Sequence, residues 1–87
     1  MQIQRNSISL EGLLKIKPTQ TIKVLVTVEN DKNEVQMKMN KVLELTKDTE
    51  NSFNFKVSVS NWEVGKYKVI VRKEGTKEKV AQFDFTV

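Results

Sequence analysis

The chain has 87 residues, a formal net charge of +4, and neither cysteine nor histidine. Domains usually contain roughly 100 to 150 residues, so we expect residues 1–87 to form a single small domain. Without cysteine and histidine the chain lacks the usual zinc and copper ligands, the nucleophilic cysteine and the imidazole base of most hydrolytic triads.

No targeting or membrane segment is predicted. The start, MQIQRNSISLEG, has no basic region followed by an apolar run and so does not resemble a signal peptide. No stretch approaches the roughly 18 apolar residues of a membrane span. We expect a soluble domain, and the sequence leaves open whether it was excised from a longer protein.

The predicted elements are all β-strands, and the first part of the chain is the least regular. Ile8 and Leu10 suggest one strand, Gly12 a bend, and LLKIKP a second short strand that Pro18 ends. From residue 22 onward apolar residues mostly alternate with polar ones, which is typical of strands with one buried face. The sets expected to point into a shared core are Ile22, Val24, Val26 and Val28; Val35, Met37 and Met39; Val42, Leu43 and Leu45; Phe53, Phe55, Val57 and Val59; Tyr67, Val69 and Val71; and Ala81, Phe83, Phe85 and Val87.

Short polar segments separate these strands. ENDKNE (29–34), KDTEN (47–51) and KEGTKEK (73–79) are rich in turn-forming residues, as connections between antiparallel neighbours require. No segment has the periodicity of a helix. The pattern predicts an all-β, antiparallel sandwich of about seven strands.

Three segments resemble the immunoglobulin-like modules of bacterial and archaeal surface proteins and of macroglobulin-type domains: LKIKPTQTIKVLVTVEN, FNFKVSVSNWEVGKYKVIVRKEG and AQFDFTV. In those modules a Pro-Gly-like turn precedes strand B, a Gly-x-Tyr pair precedes strand F, and an aromatic strand G ends the domain. The resemblance covers residues 8–87, with Thr19 at the common glycine and Val24 or Val26 and Val69 at the cysteines of antibody domains. It implies an immunoglobulin-like sandwich.

The segment FNFKVSVSNWEVGKYKVIV holds the only tryptophan and the only tyrosine. Tyr67 lies two residues after Gly65 and two before Val69, a placement similar to the tyrosine corner, whose hydroxyl bonds to the backbone of the E–F connection. Trp62 lies in that connection, and we expect it to close the open end of the sandwich. The alternative, stacking on a ligand, generally uses several exposed aromatic residues, whereas the phenylalanines here have inward parity.

Nothing in the sequence predicts an enzyme. Nearly all of the 11 carboxylates fall in turns or at outward positions, whereas general acid–base catalysis requires a carboxylate in a cleft. ENDKNE and KDTEN faintly resemble calcium loops, but lysines interrupt them and their spacing fits no known loop, so we expect plain turns. Three scattered glycines do not form a phosphate-binding loop. We predict no metal, no cofactor and no enzymatic activity.

A basic face is the candidate partner site. In the immunoglobulin-like order strands C, F and G are neighbours, so Lys38, Lys68 and Arg72 should share a face around an exposed Ile70, with Asp84 as the main opposing charge. The other sheet's outer face should carry Lys23, Leu25, Thr27, Glu29, Asn54, Lys56 and Ser58. We predict that a partner of the first face, if there is one, is an acidic protein or polysaccharide. The alternative is a merely solvated face, and nucleic acid is not expected because exposed aromatic residues are lacking.

The expected function is that of a non-enzymatic structural or interaction module of a secreted or cell-surface multidomain protein, acting as a spacer or as a protein-binding domain. Its contacts would then include neighbouring domains. The alternative is a free-standing small binding or inhibitor protein that grips a partner by loops or by strand addition. A cytoplasmic location stays open.

Overall fold

The computed structural model describes residues 2–5, 9–39 and 42–87, and these contain eight β-strands. The strands are β1 (Gln2–Arg5), β2 (Ser9–Ile16), β3 (Ile22–Asn30), β4 (Val35–Lys38), β5 (Leu43–Leu45), β6 (Asn51–Ser58), β7 (Lys66–Lys73) and β8 (Lys79–Thr86). None of the described residues is helical, so this part of the chain holds no helix that could cross a membrane. The all-β prediction is confirmed.

Two antiparallel sheets enclose one apolar core. The first sheet has the order β1-β2-β6, and the second has the order β4-β3-β7-β8, with β5 also paired to β3. Buried side chains from both sheets form one cluster, namely Leu10, Leu14, Ile16, Val24, Val26, Val28, Leu45, Phe55, Val59, Val69 and Val71. The prediction of an immunoglobulin-like sandwich of about seven strands is confirmed, and the short strand β1 is an addition.

Strand β3 belongs to a different sheet from the one predicted for it. Residues 22–28 were expected to form strand B, but β3 pairs with β7 from Val24↔Lys73 to Asn30↔Tyr67. In the immunoglobulin-like order β3 therefore takes the place of strand C, and β2 takes the place of strand B. The prediction was wrong because alternation shows which side chains point inward but not which strand is the hydrogen-bonding partner.

Strand β2 runs without interruption, so the predicted bend at Gly12 is also wrong. Gly12 lies in the middle of β2, opposite Phe55 of β6. A Cβ atom at position 12 would lie 2.1 Å from Cε1 of Phe55. The glycine therefore makes room for an aromatic ring that lies against the strand. Ile8 and the side chain of Phe53 fall outside the described residues.

A β-bulge in β4 reverses part of a predicted inward face. Val28 pairs with Met37 and Glu29 pairs with Val35, so Gln36 is the extra residue. Cross-strand partners point to the same side of a sheet, so Val35 lies on the outer side with Glu29 and is 57% exposed. Met37 keeps its predicted inward position and packs against the core.

Candidate functional site

The four residues predicted to bind a partner lie on one surface, the outer side of the second sheet. Lys38 pairs with Thr27, and Thr27 pairs with Ile70, so these residues form one row across β4, β3 and β7. Lys68 and Arg72 lie two positions before and after Ile70 and point to the same side. We call this surface, formed by the outward residues of β4, β3, β7 and β8, the charged face.

The charged face also includes outward residues of β3 that were expected on the other sheet. Glu29 lies between Val35 and Lys68 in register, and Lys68 lies between Glu29 and Asp84. Lys23, Leu25 and Thr27 were likewise expected on the outer face of the other sheet and belong to the charged face instead. Two carboxylates flank Lys68 as a result, so the face is more mixed in charge than the sequence predicted.

Ile70 was expected to be exposed and is fully buried. The register partner of Arg72 is Leu25, yet its guanidinium reaches past Thr27 to Glu29, with Nη1 3.2 Å from Thr27 Oγ1 and 2.6 Å from Glu29 Oε2. Since Thr27 is the register partner of Ile70, the arginine side chain extends across the row that contains Ile70. The Arg72–Glu29 ion pair therefore helps to exclude water from Ile70, and Ile70 offers no apolar contact at the surface.

Glu29 is a buried carboxylate that was not predicted on this face. Its side chain points to the outer side of the sheet but is only 4% exposed. Burial raises the pKa of its carboxyl, but the hydrogen bonds from Arg72 and Thr27, together with the positive charges of Arg72 and Lys68, outweigh burial and hold the pKa below its usual value. Glu29 is thus an ionised, paired carboxylate near neutral pH. Its alternation with apolar residues indicated the outward direction, but no local signal indicated burial.

The cations of the charged face differ in their availability. Arg72 is committed to Glu29, and Nζ of Lys68 donates to Asn33 Oδ1 at 2.5 Å, in the turn between β3 and β4. Lys38 is exposed on the edge strand β4. Of these three cations Lys38 is therefore the most available, and a partner would have to compete with existing contacts at the other two positions.

At one end of the sandwich three aromatic rings are stacked. The ring centroids of Trp62 and Tyr67 are 5.0 Å apart, and those of Tyr67 and Phe85 are 5.9 Å apart. The Tyr67 hydroxyl donates to the backbone carbonyl of Glu63 at 2.5 Å, as in the predicted tyrosine corner. Burial, and then the nearby charges of Glu63 and Asp31, raise the pKa of Tyr67.

Trp62 is half-buried rather than fully buried and packs against the apolar core. Its backbone N–H donates to the carbonyl of Val59 at 3.0 Å, which closes a turn in the β6–β7 connection. Its indole ring stacks on Tyr67, which also stacks on Phe85. The geometry gives Trp62 a supporting position at the end of the sandwich, as the sequence predicted.

The two turns that faintly resemble calcium loops are organised by asparagine side chains. Asn30 Oδ1 accepts hydrogen bonds from the backbone N–H groups of Lys32 and Glu34, both at 2.9 Å. Asn51 Oδ1 accepts from the N–H of Thr46 at 3.2 Å, and its Nδ2 donates to the carbonyl of Thr49 at 2.8 Å. These amide oxygens are engaged in holding the turns.

Comparison with known proteins gives the fold alone. Neither a protein-family model nor a curated protein sequence matches the chain. The crystal structure of selenomethionine-labelled β-glucosidase from Kluyveromyces marxianus is similar, with a TM-score of 0.63, 13% identity and 99% of this chain covered. The structure of that β-glucosidase in complex with glucose gives a TM-score of 0.62 with 14% identity and 100% coverage. In both cases the chain spans only 13% of the larger protein, so what the two share is a sandwich fold.

Proposed function

We propose that this chain is a non-enzymatic structural or interaction module of a secreted or cell-surface multidomain protein, where it acts as a spacer or as a protein-binding domain. The subfamily that we favour is the immunoglobulin-like module of bacterial and archaeal surface proteins or of macroglobulin-type domains. The observation that carries the proposal is the direction of the first and last strands.

Strand β1 begins toward one end of the sandwich, and β8 ends at the other. Gln2, at the start of β1, pairs with Leu13, which lies toward the end of the sandwich where β2 leads into β3. Arg5, at the end of β1, pairs with Leu10, so β1 runs away from that end. At the opposite end, Val87 and Gly65 exchange backbone hydrogen bonds. Segments attached before β1 and after β8 would therefore leave in opposite directions, as in domains arranged in line.

The dimensions suit a spacer. The molecule measures 37 × 23 × 20 Å, and a nine-residue strand such as β3 is about 30 Å long. The long axis therefore runs along the strands, and a domain inserted in line would add nearly the full 37 Å. The similar fold in the β-glucosidase is a small part of a much longer chain, which supports a role as one domain among several. The activity of that enzyme belongs to that protein.

The native size and location of the protein test this proposal. Antibodies raised against the chain should detect, in the host, a species much larger than 10.1 kDa in the secreted or surface fraction. A 10.1 kDa species in the cytoplasm would contradict the proposal and support the alternative, a free-standing binding or inhibitor protein. The alternative draws its support from strand β8, one side of which has no partner strand among the described residues.

If the chain is a protein-binding domain, we propose that its charged face holds an acidic protein or polysaccharide through Lys38 and Lys68. Arg72, which is paired with Glu29, and the buried Ile70 would support these two lysines from the same face. The double variant Lys38→Glu/Lys68→Glu should elute from immobilised heparin at a clearly lower salt concentration than Lys17→Glu/Lys77→Glu. Both variants have the same net charge, and both control residues are exposed in connections between strands, Lys17 between β2 and β3 and Lys77 between β7 and β8. Equal elution would rule out the charged face as the heparin-binding surface, because only overall charge would then matter.

A further inference from the structure

Strand β8 forms the end of the second sheet. It is eight residues long and pairs with β7, and within the described part of the chain no strand pairs with its other side. Natural sheets usually protect such edges, because unpaired backbone groups can bind another strand. The geometry of β8 decides whether this edge is open.

The backbone groups of three residues point away from β7. Gly65 and Val87 exchange both hydrogen bonds, N–H to carbonyl, at 3.1 and 2.9 Å. In an antiparallel pair such positions alternate with positions whose N–H and C=O groups point outward. The register continues regularly from Lys66↔Thr86 to Val71↔Ala81. The N–H and C=O groups of Gln82, Asp84 and Thr86 therefore face the open edge.

The inward side chains of β8 are incompletely covered. Those of the neighbouring strand β7, Val69 and Val71, are fully buried. In contrast, every inward side chain in β8 is only half-buried: Val80, Ala81, Phe83 and Phe85. A strand added beside β8 would place side chains over this apolar flank and would bond to the outward backbone groups at the same time.

The other edges are less suited to strand addition. Strands β1 and β4 have four residues each, β5 has three, and β4 also contains the bulge. Strand β6 is as long as β8, but its inward side chains include the buried Phe55 beside the half-buried Val57, whereas no inward side chain of β8 itself is buried. The bulge in β8 is confined to Val80, opposite the step from Val71 to Arg72, so residues 81–86 form a regular edge.

Charge indicates which strand would fit. Asp84 is the middle of the three residues that face the edge, and on its other side lies Lys68, whose ammonium donates to Asn33. Two copies of β8 paired symmetrically about Asp84 would place two carboxylates opposite each other, which is unfavourable. We propose that β8 binds an extended segment of a different protein, which carries apolar residues at alternate positions over Phe83 and Phe85 and a lysine or arginine opposite Asp84. This site goes beyond the proposed module function and uses the edge of the sheet, not its charged face.

A displayed library of random nine-residue peptides tests the proposal. Selection against the protein should enrich alternating apolar sequences with a central lysine or arginine. Gln82→Pro should weaken the binding of a selected peptide at least about ten-fold, because proline removes an outward N–H and leaves the ladder to β7 intact. Gln82→Ala keeps that N–H and removes only the side-chain hydrogen bond to Asp84 Oδ1, so it should weaken binding far less than Gln82→Pro does.

A charge exchange tests the role of Asp84 directly. Asp84→Lys should weaken the lysine-centred peptide about ten-fold, and a glutamate at the centre of the peptide should restore binding to the variant. The proposal is overturned if selection yields no binding peptide, if Gln82→Pro leaves binding unchanged, or if the protein instead dimerises through β8. None of these outcomes would alter the expected native size or heparin elution, so a failure here is distinguishable from a failure of the proposed function.

Discussion

The variant Gly12→Ala is expected to lower the free energy of unfolding by about 2 kcal/mol, and Gly12→Val by about 3 kcal/mol. This is the opposite of the usual effect, because alanine and valine are normally more stable than glycine inside a strand. The added Cβ would lie 2.1 Å from Cε1 and 2.3 Å from Cζ of Phe55. Phe55 is only 6% exposed and belongs to the core cluster, so its ring can move only by disturbing close-packed neighbours. Urea denaturation of the variants provides the measurement.

Two further variants separate this contact from a general effect on β2. Glu11→Ala, one residue away on the outer side, removes an exposed ion pair with Lys56 and should change stability by about 0.5 kcal/mol or less. Phe55→Ala removes the obstructing ring, so Gly12→Ala should cost much less in that background than in the wild type. A Gly12→Ala protein as stable as the wild type would contradict the close approach of Phe55.

The sequence predicts the direction of side chains better than the pairing of strands. The alternation in β3 and β7 correctly identifies buried residues such as Val24, Val26 and Val69, because side chains alternate between the two faces of every strand. The tyrosine corner is likewise predictable, since Tyr67 bonds to a carbonyl only four residues earlier. Both features depend on local geometry.

The features that were missed depend on residues distant in the sequence. The space above Gly12 is filled by Phe55, and Ile70 is buried with the help of an ion pair between Arg72 and Glu29, which are 43 residues apart. Neither contact follows from the period of the apolar residues. The assignment of β3 to the wrong sheet had the same cause, and it separated Glu29 from Arg72 in the predicted charged face.

Arg72→Met should be the most destabilising change on the charged face, with an expected loss of about 3 kcal/mol at neutral pH. Methionine keeps an apolar stem over Ile70 but removes the donor to Glu29, whose side chain is 4% exposed. The Arg72 side chain is itself 28% exposed, so water can partly replace it, and the loss should fall in the lower part of the range for buried pairs. The double variant Glu29→Met/Arg72→Met leaves no buried charge and should be within about 1 kcal/mol of the wild type.

The pH dependence distinguishes a lost ion pair from lost packing. In the wild type the pKa of Glu29 is below its usual value of 4.5, so the unfolded chain binds the proton more readily than the folded protein. The stability contributed by Glu29 is therefore fully present above that usual value and is lost as the pH falls through the lowered pKa. In Arg72→Met the hydrogen bond and positive charge of the arginine no longer lower the pKa of Glu29, so burial should raise this pKa. Protonation of Glu29 should then favour the folded state. The difference in free energy of unfolding between wild type and Arg72→Met should consequently shrink between neutral pH and about pH 4, with other carboxylates cancelling in the comparison. A difference that stays constant over this range would mean that the loss in Arg72→Met does not come from the ion pair with Glu29.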